Sequence, residues 1–218
     1  FNDIVNEKTW NVVWWQDPMA ELVNSEPLKV RSRDLVFSYD LSFDNLWMKK
    51  QSSPIYRQEF CFDSDVFFPD PDIQREEKIV FVGSSYANYG FFKSDSPHIH
   101  QFKKELISLL EEGVLVSEHE FVEMAARFGQ TVEPASVVHI MQAVVRDTTV
   151  QWLCQESDIP VEIYGRGWES NDIVKPFFKG EITHGKALAR LYCSARYALV
   201  CQAVNLQSQR LVEVCACE

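Results

Sequence analysis

No run of apolar residues in this sequence is long enough to cross a lipid bilayer, so a membrane-spanning helix is not predicted. Low-complexity tracts and internal repeats are also absent, which excludes solenoid architectures. What remains is a chain of 218 residues with an apolar content of 46%, enough to bury a sizeable hydrophobic core. We therefore predict a soluble, cytoplasmic, globular protein.

Basic residues are scarce relative to acidic ones, and the formal net charge is -11. Nucleic-acid-binding surfaces need Lys and Arg clustered on one face, so this charge argues against a nucleic-acid partner. An anionic ligand would have to be held locally, by a few basic side chains and by backbone N–H groups, against the field of the whole protein.

Metal-binding and cofactor-binding patterns are also missing. His98 and His100 flank Ile99 without a third ligand nearby in sequence, so no metal site is predicted. The glycine-containing stretches GSSYANYG and YGRGW do not match the GxGxxG spacing of dinucleotide-binding folds, and no P-loop lysine follows a GxxxxG. The cysteines have no CxxC spacing, and we predict that all six are reduced residues of the core: Cys61, Cys154, Cys193, Cys201, Cys215 and Cys217.

Alternating strand and helix patterns run through two blocks of the chain. In the first block, apolar runs rich in β-branched and aromatic residues predict strands at 10–15, 33–40 and 55–62, with a helix around Leu46 and Trp47 before the last strand. In the second block, strands are predicted at 78–83, 161–168 and 197–202, a short strand or turn at Gly180, and helices at 99–112, 117–128, 134–155, 186–196 and in the closing segment. This order predicts an α/β fold with parallel sheets and flanking helices.

The composition changes to Asp, Pro, Gln and Glu over residues 63–78, where Pro69 and Pro71 interrupt regular structure. We place the domain boundary there, with one domain and its linker at 1–70 and a second domain at 71–218. Phe1 is not a methionine and Glu218 follows no helix stop signal, so we expect the sequence to be a fragment of a longer protein.

Several glycines follow directly after predicted strands of the second block. Gly83, Gly165 and Gly167 lie just past strand ends, as does Asn205. Ligands of open parallel sheets bind along the edge where the strands end, and glycine lets the backbone approach a phosphate or a base. We therefore expect these positions to converge at one edge of the sheet.

The closing segment NLQSQRLVEVCACE places Leu211, Val214 and Cys215 on one apolar stripe of a helix and Arg210 and Glu213 on a neighbouring face. These two charged residues have two interpretations. They pair with each other on a solvated surface, or they belong to a ligand site, with Arg210 and the helix N-terminus contacting a phosphate and Glu213 accepting from sugar hydroxyls. The pattern alone does not decide between them.

An ordered series of motifs resembles a known family. YGRGW, FFKGEITHGKALARLYCSARYALV and NLQSQRLVEVCAC resemble the donor-binding domain of GT-B glycosyltransferases, in particular the spore maturation protein (CgeB)-like branch of the group 1 transferases. Upstream, WWQDP, RDLVFSYD, EFCFDSDVFFPD and KIVFVGSSY resemble segments of the same family in the same order. The resemblance covers almost the whole chain and implies a GT-B fold: the end of one Rossmann-like domain followed by a donor-binding Rossmann-like domain.

The resemblance implies transfer of a sugar from a UDP- or GDP-linked donor to an acceptor that is a glycan, a protein or a small molecule. It implies no metal and no other cofactor. By position, Glu213 matches the family's ribose-binding glutamate, Arg210 its nearby basic residue, and Gly83 and Ser84 the loop that faces the diphosphate. The other implied donor contacts lie beside the base or before the last helix: Tyr164, Gly165, Gly167, Gly180, Ile182, His184, Asn205, Leu206 and Gln207.

Three positions depart from the family pattern. Asn205 stands where retaining relatives often have a second glutamate, Glu218 where the family has glycine, and the loop after Gly83 carries Tyr86, Asn88 and Tyr89 where relatives often have an arginine. Catalytic residues are therefore not assigned, and the fragment alone is expected to be inactive. The alternatives are a non-catalytic protein that keeps the fold as a binding or coat-assembly module, and a sugar epimerase on the same architecture.

Other candidate side chains have simpler interpretations. His184, at a helix start, is more often structural than ligand-binding. Lys179 and Lys186 are expected to be solvated, although they could steer an anionic donor. Four aromatic residues within apolar runs are predicted to be core: Trp14, Trp15, Phe81 and Tyr192.

Overall fold

The structure is a computed structural model that describes residues 8–15, 32–38, 55–86, 97–114, 116–128, 134–202 and 208–218. The chain forms two compact units, residues 1–60 and 61–218. The division lies ten residues before the boundary predicted from the sequence. The reason is Phe67, which is only 1% exposed and packs in the second unit with Leu188 and Tyr192, so the Pro- and Asp-rich stretch belongs to that unit.

The described part of the first unit is a parallel sheet. It contains strands β1 (Asn11–Trp15), β2 (Asp34–Ser38) and β3 (Ile55–Arg57) in the order β1-β2-β3. Val36 of the central strand is buried, but on β1 Val12 is 64% exposed and Trp14 is 36% exposed. The predicted burial of Trp14 is therefore wrong, because Trp14 lies beside Phe37 on the face of the described sheet opposite to the buried Val36. The side chain of Trp15 and the helix predicted around Leu46 and Trp47 lie outside the described residues.

The second unit alternates strands and helices as predicted. Its elements are β4 (Glu76–Val82), α1 (Pro97–Glu111), α2 (Glu118–Arg127), α3 (Pro134–Glu156), β5 (Val161–Tyr164), β6 (Phe178–Gly180), α4 (Lys186–Ser194), β7 (Ala195–Leu199) and α5 (Gln209–Ala216). The sheet is parallel, with the strand order β6-β5-β4-β7. This arrangement confirms the α/β fold with parallel sheets and flanking helices, and it is compatible with a Rossmann-like fold.

The strand order reverses at β4. The chain adds β5 and β6 on one side of β4 and then crosses over to place β7 on the other side. In open parallel sheets, a reversal of this kind leaves a crevice between the carboxyl ends of the two strands involved. A ligand site is therefore expected at the segments that follow β4 and β7.

Helices cover both faces of this sheet, which explains the continuous apolar run of β4. Val80 and Val82 pack with α4 and Phe67, whereas Phe81, on the opposite face, packs with Val150 of α3. Since successive side chains of a strand point to opposite faces, the part of β4 that is covered on both sides, residues 79–82, must be apolar at every position. The predicted burial of Phe81 and Tyr192 is confirmed, at 2% and 5% exposure.

Two of the six cysteines do not lie in the core. All six are free thiols, but Cys61 and Cys215 are exposed. The buried residue of α5 is Glu213, and Cys217, four residues later at the C-cap, is buried on the same side, so Cys215 points away from the core. The stripe predicted from Leu211, Val214 and Cys215 is therefore wrong at Cys215. The sequence pattern failed here because a charged residue occupies the centre of the buried face.

Helix α2 begins with the predicted capping box. Ser117 Oγ accepts from the backbone N–H of Glu120 at 3.3 Å, and the Glu120 carboxylate accepts from the backbone N–H of Ser117 at 2.8 Å. The hydrogen bonds from the Ser117 hydroxyl and backbone hold the pKa of Glu120 below its usual value. The two residues together satisfy N–H groups that the first turn leaves free.

We expect Ser117→Ala to lower the free energy of unfolding by about 1 kcal/mol, measured by urea denaturation. Because the Glu120 pKa is lowered in the folded state, the carboxylate's contribution is present above its unfolded pKa and is lost as pH falls through the folded value. The difference between wild type and variant should therefore shrink at acidic pH. Ser108→Ala, at an exposed position of α1, is the control and should stay within about 0.5 kcal/mol of wild type at every pH.

Across the described ranges, the structure contains no helix that is both long and apolar enough to traverse a bilayer.

Candidate functional site

The turns after β4, β5 and β6 are joined by backbone hydrogen bonds. The N–H of Gly83 donates to Tyr164 O at 2.8 Å, the N–H of Gly165 donates to Gly180 O at 3.0 Å, and the N–H of Ser85 donates to Arg166 O at 2.8 Å. The structure therefore brings Gly83, Gly165 and Gly180 together at the carboxyl edge of the sheet, although they are far apart in sequence.

Glycine is required at the centre of this junction. Gly165 has a φ of +128°, and a Cβ added there would lie 2.3 Å from the carbonyl oxygen of Gly83. Gly167 also has a positive φ, and a Cβ there would lie 3.3 Å from the Cβ of Ser85. The turns after β4 and β5 can approach this closely only because both positions lack side chains.

The Gly83 turn is also fixed from the core and from α3. The fully buried Trp168 donates its indole N–H to Gly83 O at 2.6 Å, and Ser85 donates its hydroxyl to Asp147 at 2.8 Å. The backbone N–H of Tyr86 donates to the same carboxylate at 3.1 Å. Sequence reasoning missed Asp147, because it lies more than 60 residues away in a helix whose pattern gives no local signal.

Glu213 lies inside the protein. It is 2% exposed, and its Oε1 accepts two hydrogen bonds, from His184 Nε2 and from Gln209 Nε2, each at 2.8 Å. Among the described residues, nothing donates to Oε2, and no ion pair joins Glu213 to Arg210. The structure therefore does not contain the ion pair between Arg210 and Glu213 on a solvated surface. A buried carboxylate is costly unless it is hydrogen-bonded, and here His184 and Gln209 provide those bonds at one oxygen.

His184 acts on Glu213 from an exposed position. Its side chain is 64% exposed, its ring lies 5.5 Å from the ring of Phe67, and its Nε2 holds the Glu213 carboxylate. The sequence grouped His184 with the donor contacts, and the structure assigns it a hydrogen bond to another residue of that group. Its position in the loop between Gly180 and α4 makes this contact possible.

Arg210 approaches the Gly83 turn. Its Nη1 lies 3.1 Å from the place that a Cβ on Gly83 would occupy, and its Nε is buried without a hydrogen-bond partner. The hydroxyl of Tyr192, which is 5% exposed, also lacks a partner. Burial raises the pKa of Tyr192 to about 12; Arg210 opposes this shift and Glu213 adds to it. Tyr192 therefore stays protonated near these two charged groups.

The remaining predicted site residues are placed as follows. Tyr164 donates its hydroxyl to Glu162 at 3.0 Å and packs with Ile182 against the core face that contains Val80. Ser84 is half-buried beside Arg146, which sequence reasoning did not single out. Lys179 and Lys186 are exposed, as expected for solvated lysines. Asn205, Leu206 and Gln207 lie outside the described residues, as do Asn88 and Tyr89.

Metal ligands do not cluster in the described ranges, where no group of three or more His, Cys, Asp and Glu side chains is arranged to hold an ion. The polar side chains of this region are instead the buried carboxylate of Glu213, the guanidinium of Arg210 and the phenol of Tyr192. They can accept hydrogen bonds from hydroxyl groups and donate to an anion. Comparison of the chain with protein-family models, curated proteins and solved structures finds no significant match.

Proposed function

We propose that this protein is a GT-B glycosyltransferase that uses a nucleotide diphosphate sugar as donor. The observation that carries the proposal is the buried Glu213, whose Oε1 is held by His184 and Gln209 while its Oε2 accepts no hydrogen bond from the described residues. A ribose offers adjacent hydroxyl donors, which suit a fixed carboxylate with a free oxygen.

Arg210 lies in the first turn of α5, one turn before Glu213, and reaches the Gly83 turn. A diphosphate bound between the guanidinium and the start of the helix would place its ribose toward Glu213, one turn further along. The position at the reversal of strand order supports the same assignment, because ligands of such sheets bind there. The motif resemblance described above, which includes Arg210 and Glu213, is the basis for naming a nucleotide sugar as the donor.

In the proposed reaction, Arg210 would stabilise the diphosphate leaving group. When the acceptor oxygen bonds to the anomeric carbon of the sugar, the bond from that carbon to the diphosphate breaks and the electron pair leaves with the diphosphate. A positioned guanidinium stabilises this developing charge, and such preorganised groups act strongly where water is excluded. Arg210 would supply that charge without a metal ion.

Calorimetric titration and thermal unfolding of the full chain with UDP- and GDP-sugars test the proposal. We expect binding heat and a rise in Tm, because a ligand present at 100 times its Kd stabilises a folded protein by about 2.7 kcal/mol. Neither heat nor stabilisation with any nucleotide sugar would contradict the proposal.

A further inference from the structure

Arg146 of α3 reaches the Gly83 turn independently of Arg210. Its Nη1 donates to Ser84 O at 3.4 Å, its guanidinium carbon lies 4.5 Å from the centre of the Tyr86 ring, and its Nε is buried without a hydrogen-bond partner. A contact of 3.4 Å is a weak hydrogen bond, so the main interaction that holds this guanidinium is with the aromatic face.

Within the described ranges, Arg146 forms no ion pair with a carboxylate. Its neighbour Asp147 is occupied by the Ser85 hydroxyl and the Tyr86 backbone N–H. Arg210 is likewise without an ion pair there, whereas exposed arginines such as Arg127 and Arg166 pair with glutamates. In a protein with a net charge of -11, two unpaired and partly buried guanidiniums beside one turn are an unusual arrangement.

Both guanidiniums reach the turn that follows β4. The Cβ position of Gly83 is in contact with the Phe81 ring and with Arg210 Nη1, so Arg210 reaches the face that Phe81 occupies. Phe81 packs there against Val150 of α3, the helix that carries Arg146. Helix α3 also touches the carboxyl end of β7, where Gln142 donates to Cys201 O at 3.3 Å.

The backbone geometry limits the separation of the two groups. Arg210 Nη1 lies 3.1 Å from the Gly83 Cβ position and Arg146 Nη1 lies 3.4 Å from Ser84 O, on adjacent residues. Since Gly83 and Ser84 are neighbours in the chain, the two nitrogens are at most about 14 Å apart. This upper limit is compatible with one diphosphate that contacts both guanidiniums.

We propose that Arg146 is a second phosphate-binding residue, which together with Arg210 clamps a diphosphate across the Gly83–Ser84 turn. This inference rests on the proposed function, because it assigns the diphosphate of the donor to this position. It adds an expected preference for diphosphates over monophosphates, because a diphosphate offers more phosphate oxygens and more negative charge to the two guanidiniums. Binding replaces the repulsion between two unpaired cations by charge-assisted hydrogen bonds.

Calorimetry with inorganic pyrophosphate, UDP, GDP and the corresponding monophosphates and nucleosides tests the clamp. We expect Arg146→Gln to weaken diphosphate binding about 10- to 100-fold and to leave nucleoside binding unchanged. Arg146→Lys keeps the charge but not the planar fork, and should recover only part of the affinity. Arg190→Gln, which removes an exposed charge from α4, is the matched control and should bind as wild type does.

Each outcome decides between the two proposals. Equal weakening of diphosphate, monophosphate and nucleoside binding by Arg146→Gln would show a structural role and overturn the clamp, as would unchanged diphosphate binding. If Arg146→Gln binds nucleotide sugars with the affinity of wild type, the clamp is wrong and the proposed function is unaffected. If pyrophosphate binding depends on Arg146 but no nucleotide sugar binds, the clamp is supported and the proposed function is wrong. Absence of binding to every probe would overturn both.

Discussion

Replacing Gly165 by Ala is expected to lower the free energy of unfolding by about 3–5 kcal/mol, enough to unfold much of a marginally stable protein. Two costs add at this position. The φ of +128° is one that side chains rarely adopt, and the new Cβ would lie 2.3 Å from Gly83 O and 2.5 Å from Gly83 C. Those atoms belong to backbone that Trp168 also holds by a hydrogen bond, so the clash cannot be relieved by a rotamer change.

Gly180→Ala is the matched control. Gly180 also has a positive φ, of +98°, but a Cβ there meets nothing within 4 Å. We expect Gly180→Ala to lower the free energy of unfolding by about 1–2 kcal/mol, because it introduces backbone strain without a close contact. Urea denaturation of both variants separates strain from close approach. Equal losses of stability would mean that the contact between the turns after β4 and β5 is not what requires glycine at 165.

Replacing Glu213 by Gln is expected to weaken nucleotide-sugar binding about 10- to 150-fold while leaving the fold intact. The amide oxygen can still accept from His184 and Gln209, but the Oε2 acceptor becomes an N–H donor and the charge is lost. Because the charge removed is buried, stability should change little or increase slightly. Calorimetry gives the affinity, and urea denaturation checks the fold.

Comparing ribose and 2′-deoxyribose forms of the same nucleoside diphosphate makes the test specific. Wild type should prefer the ribose form, and Glu213→Gln should lose most of that preference, because the carboxylate is proposed to accept from the ribose hydroxyls. Glu181→Gln removes a charge of the same sign from an exposed glutamate that pairs with Arg166, and should keep both affinity and preference. A preference unchanged in Glu213→Gln would argue against ribose recognition by this carboxylate.

Much of the second unit was predictable from local patterns. The apolar run of β4 predicted a strand buried on both faces, and the box of Ser117 and Glu120 predicted the start of α2 within one residue. These features depend on interactions between near neighbours in sequence, which the pattern of residue types reflects directly. The GT-B arrangement itself stays a prediction, because it depends on more than the parallel sheet and its helices.

The site was predictable only in outline. Glycines after strand ends indicated the edge of the sheet, and the motif resemblance singled out Arg210 and Glu213. The resemblance could not show that His184 and Gln209 hold one oxygen of Glu213, nor that Arg146 stands over Tyr86. Those contacts join side chains from α3, α5 and the connecting loops, and no spacing along the chain encodes them.

The sequence by itself determined the alternation of strands and helices, the burial of β4 and the positions where glycine permits close turns, because these follow from residue type and local periodicity. Only the tertiary structure decided the order β6-β5-β4-β7, the burial of Glu213 and the presence of two arginines at one turn. Strand order and the burial of a charged side chain depend on free energies summed over contacts distant in sequence, where apolar packing and hydrogen bonding offset the cost of removing charge from water.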